Sequence, residues 1–289
     1  VLEVSTPLLA AHTVTDPHIA SFVVEGGAQQ QFLQTSPEFA MKKLLAQGSG
    51  PIYSLGPAFR FGEKGGRHSP EFTMLEWYRP GFDLEQLQLE VISLIEYLGQ
   101  HFLLKFPQPL IVTYSNLFKQ RFDINPHAVG TQILKSIIAD VFPDHSSHLE
   151  GDLGGQDEGE KDDLLDLLFA LGIESGLQAP QFVTGFPESQ ASLARVGTDA
   201  GDRVAMRTEL YWQGIELANG YDELRDANEL RTRMARDNRI RSMRGLPEIT
   251  PDESLLEALS KIPSCTGIAL GVDRLLMLLL GKHELTELL

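Results

Sequence analysis

The chain predicts an α+β fold, and three observations carry that prediction. Strand-like runs with period-two alternation come as sequence neighbours joined by short turns, at 52–61, 71–79, 182–186, 207–217 and 267–271. Segments with helical spacing are instead gathered in stretches of their own, rather than alternating with single strands as in βαβ units. The 289 residues are 42% hydrophobic, enough to bury a full core.

The opening VLEVSTPLL reads as though already inside a strand, so natural residues are expected before Val1. The run 71–78 is a strand that sends Phe72, Met74, Glu76 and Tyr78 to one face. A solvated face explains the carboxylate but not the rings, whereas a binding floor explains both. Residues 83–102 place Leu84, Leu87, Val91, Leu94, Ile95 and Leu98 at helical spacing, and 162–171 reads as a second helix. Between these helices the acidic, glycine-containing stretch 144–163 reads as an exposed loop; His145 and His148 there are better explained by solvation than by a metal site. The length of 289 residues suits one large domain or two ordinary ones.

Charge and cysteine usage narrow the function classes. Forty Asp and Glu against 24 Lys and Arg give a net charge of −16, which leaves little general attraction to a phosphate backbone. The single cysteine, Cys265, rules out an intramolecular disulfide framework and suits a reducing cytoplasm. No apolar run approaches the roughly 20 residues of a membrane helix.

Three segments carry candidate chemistry. In PAFRFGEKGGRHSPEFTMLEWY, 57–78, two strands flank a glycine-rich loop holding Arg60, Lys64, Arg67 and His68. Such a cluster suits a polyphosphate through charge-assisted, bidentate contacts, and equally a merely solubilising hairpin tip. In RTELYWQGIELANGYDELRD, 207–226, a two-residue turn at Gln213-Gly214 pairs Trp212 with Ile215, sets Glu209 opposite Ala218, and brings Glu209 and Glu216 to one face. Either a divalent cation, most often Mg²⁺ where phosphates bind, relieves their repulsion, or one Glu is solvated. Alternation does not place Asn219 and Glu223, which lie past the expected strand end. In TGIALGVDRLLMLLLG, 266–281, a small-residue strand turns into an apolar helix with Asp273 and Arg274 at the junction. An arginine at a helix N-terminus disfavours the helix but favours an anion. Seven arginines in 225–244 form either a solvated amphipathic helix or a docking surface for an acidic partner.

In this order the three segments resemble the class II aminoacyl-tRNA synthetases: the first and third look like motifs 2 and 3, and VSTPLL (4–9) resembles the end of motif 1 with Pro7. The likeness is greatest to the lysyl branch. RHSPEFTMLEWY resembles its RHNPEFTM stretch, TSPEFAMKKLL (35–45) its substrate loop, and ELYWQGIELANGYDEL its metal and lysine segment. Within that branch, TSPE, PEFTMLEWYRP, FPESQASLA and GIALGVDR resemble the truncated paralogues that ligate β-lysine to a lysine of translation elongation factor P.

The resemblance implies one catalytic domain over 1–289 with a helical, acidic insertion at about 100–180, a six- or seven-stranded antiparallel sheet flanked by helices, a homodimer, no anticodon-binding domain, ATP as substrate and Mg²⁺ as cofactor. It implies (R)-β-lysine or lysine as the amino acid and elongation factor P, rather than tRNA, as the acceptor, in the cytoplasm. Arg60 and Arg274 would be catalytic. Arg60, Glu63, His68, Ser69, Phe72 and Arg274 would bind ATP, with Phe72 beneath adenine and Arg274 above. Glu209 and Glu216 would hold the metal. Ser36 and Glu38 would receive the amino group near the reacting carboxylate, and Glu76, Tyr78, Asn219 and Glu223 the distal ammonium.

Three positions depart from the synthetase pattern. Gly62 stands where a carboxylate usually follows the motif 2 arginine, so Glu63 substitutes only if the hairpin is bulged. Ser69 replaces an asparagine. Ala269 replaces a glycine, and one methyl group in the amino-acid pocket is worth roughly 1–3 kcal/mol of discrimination. A lysyl-tRNA synthetase core and a catalytically silent regulator that binds lysine or tRNA are the competing readings.

Overall fold

The computed structural model describes residues 1–26, 30–103, 106–145 and 159–288. Its centre is a mixed nine-stranded sheet. β1 (Leu2–Glu3), β5 (Ile52–Phe59), β6 (Glu71–Pro80), β12 (Cys265–Gly271), β11 (Ile215–Asp222), β10 (Asp202–Trp212), β8 (Gln181–Pro187) and β7 (Leu110–Thr113) lie side by side in that order, and β9 (Val196–Asp199) pairs with β10. From β5 to β8 the pairing is antiparallel, as expected. The edges differ from expectation: β1 runs parallel to β5 and β7 parallel to β8, which makes the sheet larger than the anticipated six or seven strands. A separate small sheet joins β2 (Leu9–Ala10), β4 (Gln31–Leu33) and β3 (Val23–Val24).

One face of the large sheet is sealed by α2 (Leu84–His101) and α8 (Val272–Leu279). The start of α2 is set by a capping box, in which Asp83 accepts from the Gln86 backbone and the Gln86 side chain accepts from that of Asp83. Its apolar stripe buries Leu87, Val91 and Ile95 against Trp77, Ile268 and Leu270. Each such side chain contributes about 1.5–3 kcal/mol by leaving water. Helix α8 begins where β12 ends; Asp273 in its first turn accepts from the backbone N–H of Thr73 at 2.7 Å, tying the helix start to β6.

The opposite face is covered in two separate blocks. At the β8 end, α3 (Tyr114–Phe122), α4 (Thr131–Val141) and α5 (Glu160–Gly172) pack around Phe118, Leu134, Leu165 and Leu168. At the β5 end, α1 (Glu38–Ala46), α6 (Ala227–Met243) and α7 (Glu253–Leu259) pack around Met41, Leu45, Met234 and Leu255. Between the blocks the sheet is left uncovered, and that gap is the cleft described below.

Helix α6 carries the arginine-rich stretch, and its arginines are largely spent on the protein's own structure. Arg231 pairs with Glu253, Arg236 with Asp162 and Arg244 with Asp163; Arg233 donates to the carbonyls of Ser192 and Ala194, and Arg241 to those of Pro247 and Asp16. The helix therefore binds the two blocks together, and neither the solvated helix nor the docking surface expected from the sequence describes it. Of the acidic stretch, residues 146–158, including His148, lie outside the described residues. Among the described residues no helix is long and apolar enough to cross a membrane.

Candidate active site

The cleft has a volume of about 1380 Å³, and it is lined by all fifteen side chains to which the family resemblance assigned a role. Cross-strand register explains the convergence, because paired residues of an antiparallel sheet present their side chains to one face. One row crosses five strands as Ser54, Glu76, Ala269, Asn219 and Glu209; the next runs Ile52, Tyr78, Gly267, Tyr221 and Arg207. Phe72 and Met74 continue the β6 face.

The register of β10 and β11 corrects the sequence expectation. Gln213 and Gly214 do form the turn, with φ of 53° and 65°, and Trp212 does pair with Ile215. One pair later an irregularity intervenes: Tyr211 pairs with Glu216 but Leu210 pairs with Ala218, so Leu217 is the extra residue and Glu209 faces Asn219, not Ala218. A bulge of one residue exchanges the faces of everything beyond it. That slip, together with a strand running to Asp222, turns Asn219 and Tyr221 into the cleft beside Glu209, while Glu216 on the turn side stays on the same face.

The end of the cleft at β5 and β6 is acidic and buried. Glu76 and Glu223 are only 3% and 2% exposed, and Glu38 opens α1 beside them. Lys42, one helical turn after Glu38, is fully buried; its Nζ lies 2.7 Å from Glu38 Oε1 and 2.7 Å from Glu223 Oε2. The Tyr78 hydroxyl donates to Glu76 Oε1 at 2.7 Å. Burial pushes the Glu76 carboxyl up to about 8, with the charge of Glu38 adding to it. Burial also lifts Glu223 to about 8, although Lys42 pulls against the shift. Burial opposes the Lys42 charge, but Glu223 and Glu38 more than offset it and hold its ammonium above the ordinary lysine range. Gly267 makes this end possible: a Cβ there would sit 2.4 Å from the Tyr78 ring and 2.6 Å from Glu223 Oε1.

The end at α8 and the 60–70 loop is basic and partly exposed. Arg60 lies over the Phe72 ring at 5.2 Å and 3.7 Å from Glu63. The β5–β6 ladder is regular to Phe59–Glu71 and pairs again at a Gly65–His68 bridge, with residues 60–64 on one arm opposite only 69–70 on the other. The hairpin thus bulges on the Arg60 side, where Gly62 turns the chain with φ of 84° and Glu63 reaches Arg60. Arg274 donates to the carbonyls of Glu216 at 3.0 Å and Arg67 at 3.2 Å, and Arg67 donates to the carbonyl of Gly214 at 3.1 Å. His68 is held below its ordinary range, first by burial and then by Arg274, so it enters the site as a neutral imidazole. Ser69 sits beside it in the lining, whereas Lys64 is exposed outside the lining.

Between the ends, Glu209 is buried, accepting from Tyr211 at 2.6 Å and from Arg207. Arg207 also donates to Asn219 Oδ1 at 3.2 Å and stacks over Phe186 at 4.7 Å. Burial raises Glu209, Arg207 counters it, and Glu216 adds to it. The repulsion that the sequence assigned to a divalent ion is thus already partly offset by Arg207. Among the described residues no three or more His, Cys, Asp or Glu side chains are grouped to hold a metal by themselves. The pair nevertheless fits Mg²⁺, which binds through one or two carboxylates plus phosphate oxygens, because each carboxylate oxygen keeps a second lone pair.

Comparisons with known proteins give the family of the chain. The family described as tRNA synthetases class II (D, K and N) matches residues 1–289. The chain belongs to this family. Curated relatives named elongation factor P–(R)-β-lysine ligase, from Proteus mirabilis and from Photorhabdus laumondii, are each 44% identical over 298 aligned residues, covering all of this chain and 87% of theirs. The Salmonella paratyphi B protein of the same name is 42% identical over the same shares.

Two residues that hold the site escaped the sequence reading: Arg207, which lines the cleft, and Lys42, which is buried behind the lining and paired with Glu38 and Glu223. Lys42 had a visible signal, the Glu38–Lys42 spacing of four on a helix. Arg207 was seen only as the first residue of its segment, and nothing local shows that it would lie beside Glu209 and Asn219.

Proposed function

We propose that this class II synthetase-family chain is an ATP-dependent ligase that activates (R)-β-lysine, or lysine, as an aminoacyl-adenylate and transfers it to a lysine side chain of translation elongation factor P. The observation that carries the reading is one cleft with a buried, carboxylate-rich end for a dicationic amino acid and an arginine-bearing end for a polyphosphate. The names of the relatives supply the acceptor.

In the first step a carboxylate oxygen of the amino acid attacks the α-phosphorus of ATP in line. The bond from that phosphorus to the bridging oxygen breaks, and pyrophosphate leaves with the electron pair. Arg60 stabilises the charge that builds on the α-phosphate, Arg274 and His68 hold the outer phosphates, Ser69 and Glu63 order the loop around them, and Phe72 supports adenine. Mg²⁺, held by Glu209 and Glu216, would supply neutralisation of phosphate charge. Glu76, Tyr78, Asn219 and Glu223 hold the distal ammonium, and Ser36 and Glu38 the amino group near the carboxylate, so the attacking oxygen is positioned before reaction. In the second step the neutral ε-amine of the acceptor attacks the adenylate carbonyl, an amide forms, AMP leaves and the amine releases a proton.

The enzyme acts in the cytoplasm and pairs with a second copy, a reading supported by the exposed Leu2 and Leu55 on β1 and β5. The decisive experiment offers radiolabelled lysine and (R)-β-lysine, with ATP and Mg²⁺, to purified elongation factor P and to lysine tRNA in parallel. Label on the protein, stronger with β-lysine, is the expected result. Label on tRNA alone would return the chain to aminoacylation of RNA, and no ATP–pyrophosphate exchange with either isomer would leave it a binding protein.

A further inference from the structure

Lys42 is an expensive residue in its place. It lies on α1, whose Met41 and Leu45 belong to the packed block of α1, α6 and α7, and its side chain is 0% exposed. A methionine of similar length would fill that space without the desolvation penalty of a charge, so packing alone does not account for an ammonium. What the ammonium does is visible in its partners: it bridges Glu38 on α1 to Glu223 beyond β11, two residues that are otherwise unconnected, each at 2.7 Å. It leaves Glu76 to Tyr78.

We infer that Lys42 is a positioning residue for the amino-acid substrate, whose buried ammonium fixes Glu38 and Glu223 and sets the charge that the pocket presents. Glu38, Glu76 and Glu223 ionised against one lysine leave two uncompensated negative charges, the number of ammonium groups on lysine or β-lysine. Without Lys42 the pocket would hold three mutually repelling buried carboxylates, and they would relieve the conflict by taking up protons or moving apart. Either response costs affinity for a dication while leaving the arginine end untouched. The same count disfavours a monocationic amino acid, which would leave one buried carboxylate without a counter-charge. The inference rests on the amino-acid reading of this end, and its test separates the two.

The test compares Lys42→Met with the unaltered enzyme in ATP–pyrophosphate exchange. The expected result is a KM for lysine and β-lysine raised at least tenfold, with the KM for ATP within about twofold. Glu223→Gln, alone and combined with Lys42→Met, completes a cycle in which the double variant should be less impaired than the product of the two single effects, because both changes act on one ion pair. A merely structural Lys42 would instead raise both KM values together, or add independently of Glu223, and either outcome would overturn the inference. Should Lys42→Met not fold, the unaltered protein still decides. Its buried ammonium should give a slowly exchanging side-chain ¹⁵N resonance that shifts when the amino acid saturates the site, and a resonance unmoved at saturation would overturn the inference. Failure of the unaltered protein to bind any lysine isomer would sink the pocket reading itself.

Discussion

The two ends of the cleft reach their chemistry by opposite routes. The basic end is built from a loop and a helix start, with Arg60 and Arg274 side chains 28% and 22% exposed and the loop tied down through backbone carbonyls. The acidic end is built on strand faces and α1, with Lys42 and Glu223 side chains 0% and 1% exposed and paired to each other. A triphosphate brings several negative charges, so solvated guanidiniums suffice and can adjust around it. A small dicationic amino acid offers few contacts, and discrimination requires groups that are desolvated and fixed in advance. Substitutions should therefore separate cleanly: changes at the basic end should appear in the chemical step, and changes at the acidic end in amino-acid affinity.

Arg60→Ala gives the largest expected effect. Losing one cation aimed at charge that develops in the transition state costs roughly 10²–10³ in rate. ATP–pyrophosphate exchange at saturating substrates should fall by that factor with little change in the KM for lysine. A change confined to KM would break the division between the ends. Glu223→Gln comes next. It leaves the buried Lys42 with one carboxylate instead of two, a loss of about 2–3 kcal/mol, and should raise the amino-acid KM about 30–100-fold with ATP affinity retained.

The pH dependence sharpens the contrast. In the empty site burial holds Glu76 near pH 8, while Glu223 is ion-paired with Lys42, so at neutral pH Glu76 holds a proton that a dication must displace. Amino-acid affinity should climb up to about tenfold per pH unit between pH 6 and 8, and calorimetry in buffers of different ionisation enthalpy should detect proton release at pH 7. The sign for folding is opposite. The folded value of Glu76 lies above the ordinary 4.5, so the unfolded chain releases this proton first and stability of the empty enzyme falls as pH rises from about 4.5 to 8. Melting curves with and without lysine check both halves. At the basic end His68 is already neutral at pH 7, so ATP affinity should change little over pH 7 to 8.

What could be read in advance follows from how local each signal is. The span of α2 was legible because its apolar spacing and its Asp83–Gln86 box lie within one segment. The mixed face of β6 was legible because alternation alone sorts Phe72, Met74, Glu76 and Tyr78 from their neighbours. The short parallel edges β1 and β7, with two and four residues, carry too little pattern to announce themselves. The bulge at Leu217 was invisible for a different reason: any register is compatible with the composition of 215–222, and neighbouring strands select one. Lys42 and Arg207 depend on partners across the sheet or at the far end of the chain, so their ion pairs exist only once the strands are ordered.

Ala269 tests the comparison at its finest grain. Its Cβ lies in the row between Glu76 on β6 and Asn219 on β11, so its methyl group forms part of the floor on which the distal ammonium and its chain rest. The neighbouring floor position, Gly267, tolerates no Cβ because Tyr78 and Glu223 occupy the space, so the depth of the pocket changes by one methyl group between adjacent rows. Ala269→Gly deepens that floor without touching any charge. The expected effect is therefore confined to shape: about 1 kcal/mol, or about fivefold, in the ratio of kcat/KM for β-lysine over α-lysine, with the pH profile and the ATP KM unmoved. An unchanged ratio would mean that the isomer is chosen elsewhere, at Ser36 and Glu38 where the amino group moves by one carbon. A ratio that shifts together with the pH profile would mean that the floor and the buried carboxylates cannot be varied separately, and that the acidic end acts as a single electrostatic unit.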